Sequence, residues 1–171
     1  MKRLVHCIIG STLGLLVSSD KPFIFPYLVV IGWIGGWIPD LDLRIKHRKS
    51  LHNIWIAVFS AAILYMITSY IYNYLVLTSY ITKSSFLEKT VIVFLGAWIL
   101  HILCDSLTIR GVYPFYPLSN YRLRIAKLRS NGLAANAIGL AIALVFFILW
   151  LRSTKLIVYI EYLERLIGLK T

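Results

Sequence analysis

Apolar runs of near-membrane length recur along this chain, and they constrain its fold more than any other feature. Residues 4–19 and 23–38 form two such runs, parted only by Asp20, Lys21 and Pro22. Further runs cover residues 53–77, about 90–104 and 133–151. A helix needs roughly 17–25 mostly apolar residues to cross a bilayer, so the first pair sits at the lower limit. With 59% hydrophobic and only 15% charged residues in 171, the chain is more apolar than a soluble domain of this size can hide. That composition excludes a cytosolic globule, a disordered tail and a small disulfide scaffold. Cys7 and Cys104 lie inside apolar runs and are too few for a disulfide framework. The expected fold is all-α. One membrane-embedded domain over residues 1–171 would form a polytopic bundle of about five transmembrane helices.

The tail adds an amphipathic helix to this expectation, because Leu156, Ile160, Leu163 and Ile167 share one helical stripe. Gly10 and Gly14, and Gly32 and Gly36, have the spacing that lets two helix backbones approach closely in lipid. The first two runs therefore read as a tight hairpin.

The formal charge of +11 would raise nucleic acid as a partner for a soluble protein. Here the cations fall between the apolar runs, as expected of membrane loops beside anionic headgroups, and no nucleic acid partner is expected. With the N-terminus inside, cytoplasmic segments carry Lys2 and Arg3, then Arg44, Lys46, Arg48 and Lys49, then Arg110, Arg122, Arg124, Lys127 and Arg129. The outer loops carry Lys21, Lys83 and Lys89, although Arg152 and the cations of the tail run against the rule. The expected location is the cell membrane, with multiple passes. An alternative reading of the N-terminus is a cleavable secretory signal ending near Val17, Ser18 and Ser19, which would remove His6.

All four histidines, His6, His47, His52 and His101, and three aspartates, Asp40, Asp42 and Asp105, fall at run ends or in the loop joining them. In the expected topology they share the cytoplasmic face. Ionisable groups at membrane depth are costly unless paired, liganded or functional, so this gathering is a site hypothesis by default. His101 and Asp105 are four apart on a helical face and can reach one ion. Asp40 and Asp42 follow Pro39 where a helix is ending, and His47 and His52 add two nitrogens nearby. Nitrogen and carboxylate donors without thiolates suggest a divalent metal: zinc first, manganese or iron next, in one to three ions. Arg48 suits bidentate binding of a phosphate. The competing reading for each residue alone is a helix cap or a headgroup contact.

The order of these residues carries a family resemblance. His6 and Gly10, the run Ile38-Pro39-Asp40-Leu41-Asp42, the set His47, Arg48 and His52, and the set Gly96, His101, Asp105, Thr108, Gly111 and Pro114 together resemble the YdjM-like family. That family is described as LexA-binding, inner-membrane-associated and metal-dependent in its hydrolase activity. The resemblance covers roughly residues 1–120 and implies metal ligation by His6, Asp40, His52, His101 and Asp105. A remoter likeness to zinc-dependent phospholipase C implies a phosphoester substrate. Where the family commonly has Ser after the last His of the loop motif, this chain has Asn53, and no acidic residue follows Asn131 in the stretch to Ala135.

The expected function is thus a metal-dependent hydrolase acting on a membrane lipid ester. Asp42 or His47 would serve as general base or acid, Arg48, Lys46 and Arg110 would bind phosphate, and Thr108 and Gly111 would shape the loop over the site. Two other classes compete. A cation or proton transporter would need polar residues through mid-membrane, where Ile63, Leu64, Leu144, Val145 and Phe146 are apolar. A non-catalytic adaptor recruiting a soluble partner would tolerate loss of His101 and Asp105.

Overall fold

Each of the first two apolar runs forms a helix, α1 (Arg3–Val17) and α2 (Phe25–Trp37), joined through the 3₁₀ turn Pro22–Ile24. The structure is a computed structural model that describes residues 1–44, 51–74 and 81–154; the side chains of residues 22 and 42–44 lie outside that description. A seven-residue 3₁₀ segment, Ile38–Arg44, continues from α2. Pro39 explains the change, since its ring removes a backbone donor and disfavours a continued α-helix. Then follow α3 (Ile54–Tyr72), α4 (Lys83–Ser106) and α5 (Leu133–Ser153). The described residues contain no β-strand, only two isolated bridges within the 107–132 connection. The expected all-helical architecture is observed; the tail expected to form an amphipathic helix lies outside the described residues.

Helices α3, α4 and α5 are long and apolar enough to cross a membrane. At 1.5 Å per residue, α1 and α2 measure only about 22 and 20 Å, short of a ~30 Å hydrocarbon core. Their pairing is nonetheless close. A Cβ on Gly10 would overlap the Gly32 carbonyl oxygen, one on Gly14 would overlap that of Leu28, and one on Gly36 that of His6. This is the expected small-residue seam, and only hydrogen fits there.

Helices α1 and α4 form the centre of the bundle: α4 contacts α1, α2 and α3, and α1 contacts α2, α4 and α5. Half of α4's most apolar stretch is buried, against 17% for α3 and 22% for α5, so those two turn most of their surface to lipid. The core holds Trp98, Phe86, Leu28, Val93 and Ile24. Helix α4 also begins earlier than its apolar run, at Lys83 instead of near Thr90, because Thr82 caps it by accepting from Ser85 N–H at 3.4 Å. At that end, Lys89 Nζ donates to Asp20 Oδ1 at 2.7 Å and to the Val17 carbonyl at 3.1 Å, which ties the hairpin turn to the start of α4.

Candidate metal centre

The opposite end of the bundle collects the ionisable residues. His6 comes from the first turns of α1, Asp40 from the 3₁₀ segment after α2, His52 from just before α3, and His101 and Asp105 from the last turns of α4. Their exposures are 2, 3, 0, 1 and 0%. Local structure puts each one there. Asn53 caps α3 by accepting from Ile56 N–H at 2.9 Å, and Trp98 Nε1 donates to the Leu51 carbonyl at 3.1 Å. Between them these bonds pin His52. The departure from Ser to Asn at position 53 is thus explained, since both residues are good N-caps.

Asp40, His52, His101 and Asp105 each offer a donor atom, and the four atoms lie within 4.8 Å of one another. His52 Nε2 is 3.2 Å from His101 Nε2 and 3.5 Å from Asp105 Oδ2. His101 Nε2 is 3.7 Å from Asp40 Oδ1 and 3.9 Å from Asp105 Oδ2. A tetrahedral ion with bonds of about 2.0–2.2 Å sets its ligand atoms roughly 3.3–3.6 Å apart, so the spacing fits one divalent cation.

The chemistry of the donors fits as well. His101 Nδ1 lies 2.8 Å from the Gly36 carbonyl oxygen, which can only accept. The proton therefore sits on Nδ1, and the Nε2 lone pair of the neutral ring faces the cluster, the orientation a backbone carbonyl imposes on metal-ligating histidines. Asp40 Oδ2 is buried without a hydrogen-bond partner among the described residues. Two buried carboxylates in one dry cluster would each be expensive alone. A divalent cation held between them would offset both. The amino group of Met1 also reaches Asp105 Oδ1 at 2.7 Å, and Arg3 Nε stands 4.0 Å from Asp40 Oδ2.

His6 joins from the side. Its ring stacks on His101 with centroids 3.8 Å apart, and its Nε2 is 3.2 Å from Asp105 Oδ1. It belongs to the cluster but not to the four whose donor atoms converge. Asp42 follows Asp40 in the 3₁₀ segment, with its side chain outside the described part, and Lys46, His47 and Arg48 lie outside the described residues altogether. Thr108 is buried, and its hydroxyl donates to the Asp105 carbonyl at 2.8 Å. Gly111 takes a left-handed φ of 62°, and a Cβ there would press on the Leu123 carbonyl oxygen. Both lie in the connection after α4. Arg110 is exposed on that connection. Two contributors escaped the sequence reading: the Gly36 carbonyl, and Trp98 as anchor of the His52 loop. A backbone acceptor has no side-chain signature, and Trp98 reads as ordinary core.

Cys7 and Cys104 are buried free thiols. Cys104 packs with Met1, Val5 and Ile9, consistent with a packing role. No curated protein and no solved structure matches the chain. The family of the YdjM inner membrane protein matches over residues 1–163.

Proposed function

Since the chain belongs to the YdjM family of inner membrane proteins, we propose that it is a membrane-embedded, metal-dependent hydrolase of a lipid-borne ester. The substrate class is a phosphoester, of a phospholipid or a polyprenyl phosphate. The observation that supports this most is the convergence of Asp40, His52, His101 and Asp105 from three parts of the chain into one buried group. Polar clusters of this kind at membrane depth are functional by default. A site at the end of a bundle with lipid-facing helices suits a substrate that arrives sideways through the bilayer.

The residues divide by role. Asp40, His52, His101 and Asp105 would hold the ion, with zinc favoured by the mixed nitrogen and carboxylate set and manganese or iron as neighbours. When bound, such an ion activates water and neutralises charge on a phosphoryl oxygen. Gly36 keeps the His101 proton on Nδ1 and away from the cluster. His6, against Asp105, would complete a second ion's ligands. Asp42 or His47 would accept and return the proton, and Lys46, Arg48 and Arg110 would hold the phosphate. This site would face the cytoplasm.

Metal content tests the reading. Protein purified in detergent without chelator, measured by inductively coupled plasma mass spectrometry, should carry stoichiometric zinc, manganese or iron. His101→Ala and Asp40→Ala should each lose it. A folded, metal-free wild type would end the metallohydrolase reading and move the weight to an adaptor.

A further inference from the structure

Beyond the cluster, the connection from α4 to α5 forms a second polar feature. Residues 107–132 fold back on themselves: Ile109 N–H donates to the Leu128 carbonyl at 2.9 Å, Leu128 N–H to that of Leu107 at 3.1 Å, and Val112 and Leu123 exchange both backbone bonds. This pairing sets the segment after Thr108 beside the segment after Leu128. Between them lies a cavity of about 310 Å³ lined by Thr108, Ile109, Arg110, Arg129, Ser130 and Asn131.

Its charge is one-sided. No Asp or Glu occurs between Asp105 and Glu161. Among the described residues, neither the Arg110 nor the Arg129 side chain pairs with a carboxylate. By contrast Arg122, nearby, spends its guanidinium on the carbonyls of Arg110 and Ile109, both at 2.8 Å, and so braces the turn. Two uncommitted guanidiniums with a hydroxyl and an amide on one concavity match a phosphate group, which accepts on every oxygen. The volume suffices for a phosphorylated headgroup. Thr108, which lines the cavity, donates its hydroxyl to the backbone carbonyl of Asp105, so one wall is bonded to a member of the buried quartet. Ile109 in its lining is half exposed, and Leu133, two residues beyond the lining residue Asn131 and the first of α5, is 92% exposed.

We propose that the cavity between Arg110 and Arg129 is a phosphate subsite that holds the ester's phosphorylated headgroup beside the metal cluster. It rests on the hydrolase reading for its purpose, though not for its existence. Arg129, Ser130 and Asn131 thereby join Arg110 as binding residues.

The test is native mass spectrometry of the full chain from nanodiscs of phosphatidylcholine with or without phosphatidic acid, with glycerol 3-phosphate as the soluble counterpart. Wild type should prefer phosphatidic acid over phosphatidylcholine. The double variant Arg110→Gln with Arg129→Gln should lose about tenfold in that preference, the size of a lost charge-assisted pair. Arg124→Gln with Lys127→Gln removes equal charge outside the cavity and should change it less than about twofold, as screened surface charges do. Undiminished binding by the first pair, or an equal loss by both, overturns the proposal. Should the Gln pair fail to fold, the Lys pair keeps the charge but loses the bidentate fork, and wild-type affinity there overturns it equally. Arginine-dependent binding of glycerol 3-phosphate without preference for the lipid assigns the same subsite to a soluble phosphoester. If wild type proves metal-free yet still depends on the two arginines, the hydrolase reading falls and the subsite stands; metal-loaded protein indifferent to both arginines gives the reverse.

Discussion

His101 has one ring nitrogen committed to the Gly36 carbonyl, and this leaves the other for the cluster. Any residue placed there must therefore both donate to α2 and present a lone pair on its far side. Glutamine can donate but carries no second lone pair in the right place, so His101→Gln should lose metal as fully as His101→Ala while keeping more of the fold; metal analysis beside thermal unfolding separates the two effects. Asn53 makes a different contribution. It holds the start of α3 and through it the neighbouring His52, so Asn53→Ala should cost about 1 kcal/mol and Asn53→Ser much less. Unfolding in detergent checks both, and equal losses would assign Asn53 a role other than the cap.

At the scale of elements, close backbone approach at the glycines sets the spacing of the α1–α2 hairpin. Gly10 and Gly32 each sit against the other's carbonyl. A methyl group at either position must separate the helices, and His6 and Asp40 ride on them. Gly32→Ala should therefore cost about 1–3 kcal/mol, the usual size of overpacking, and should weaken metal retention with no ligand altered. Unchanged melting and full metal occupancy in this variant would show that the seam can widen freely. The connection after α4 is the other element whose backbone matters, since Gly111 at φ 62° makes the turn that returns Leu123 to Val112.

For the whole molecule, the even number of helices between the two faces has a consequence for topology. The hairpin returns the chain to the face it left, whether or not its short helices fully cross. Helices α3 and α4 then go out and back, so the cluster and the 107–132 connection share one face. The Asp20–Lys89 pair marks the other. Single cysteines at Asn120 and Ser84 should label from opposite sides of an intact membrane, Asn120→Cys from the cytoplasm, with little background because Cys7 and Cys104 are buried. Labelling of both from one side would break this arrangement. A bound metal would also act at this scale. An ion that binds only the folded bundle stabilises it by about 2.7 kcal/mol at one hundred times its dissociation constant. A chelator should accordingly lower the melting temperature of wild type and leave that of Asp40→Ala unmoved.

The helical class, the membrane setting and the identity of the cluster were all legible in the chain. Apolar runs interrupted by prolines, glycines and charges admit only helices in lipid, because every backbone group must be satisfied within its own segment. Buried His and Asp stand out against such runs for the same reason: hydrocarbon offers them no partner. The Gly10 and Gly32 spacing predicted a seam that the fold contains. Which of five candidate ligands converge was decided by tertiary structure alone, since the depth and rotation of α1, α2 and α4 put the donor atoms of Asp40, His52, His101 and Asp105 together and turn His6 to the side. Spacing along one helix determines distances within that helix. Distances between helices depend on packing, and so do the carbonyl behind His101 and the pairing that brings Arg110 and Arg129 to one cavity, two residues nineteen positions apart in a segment whose sequence reads only as loop.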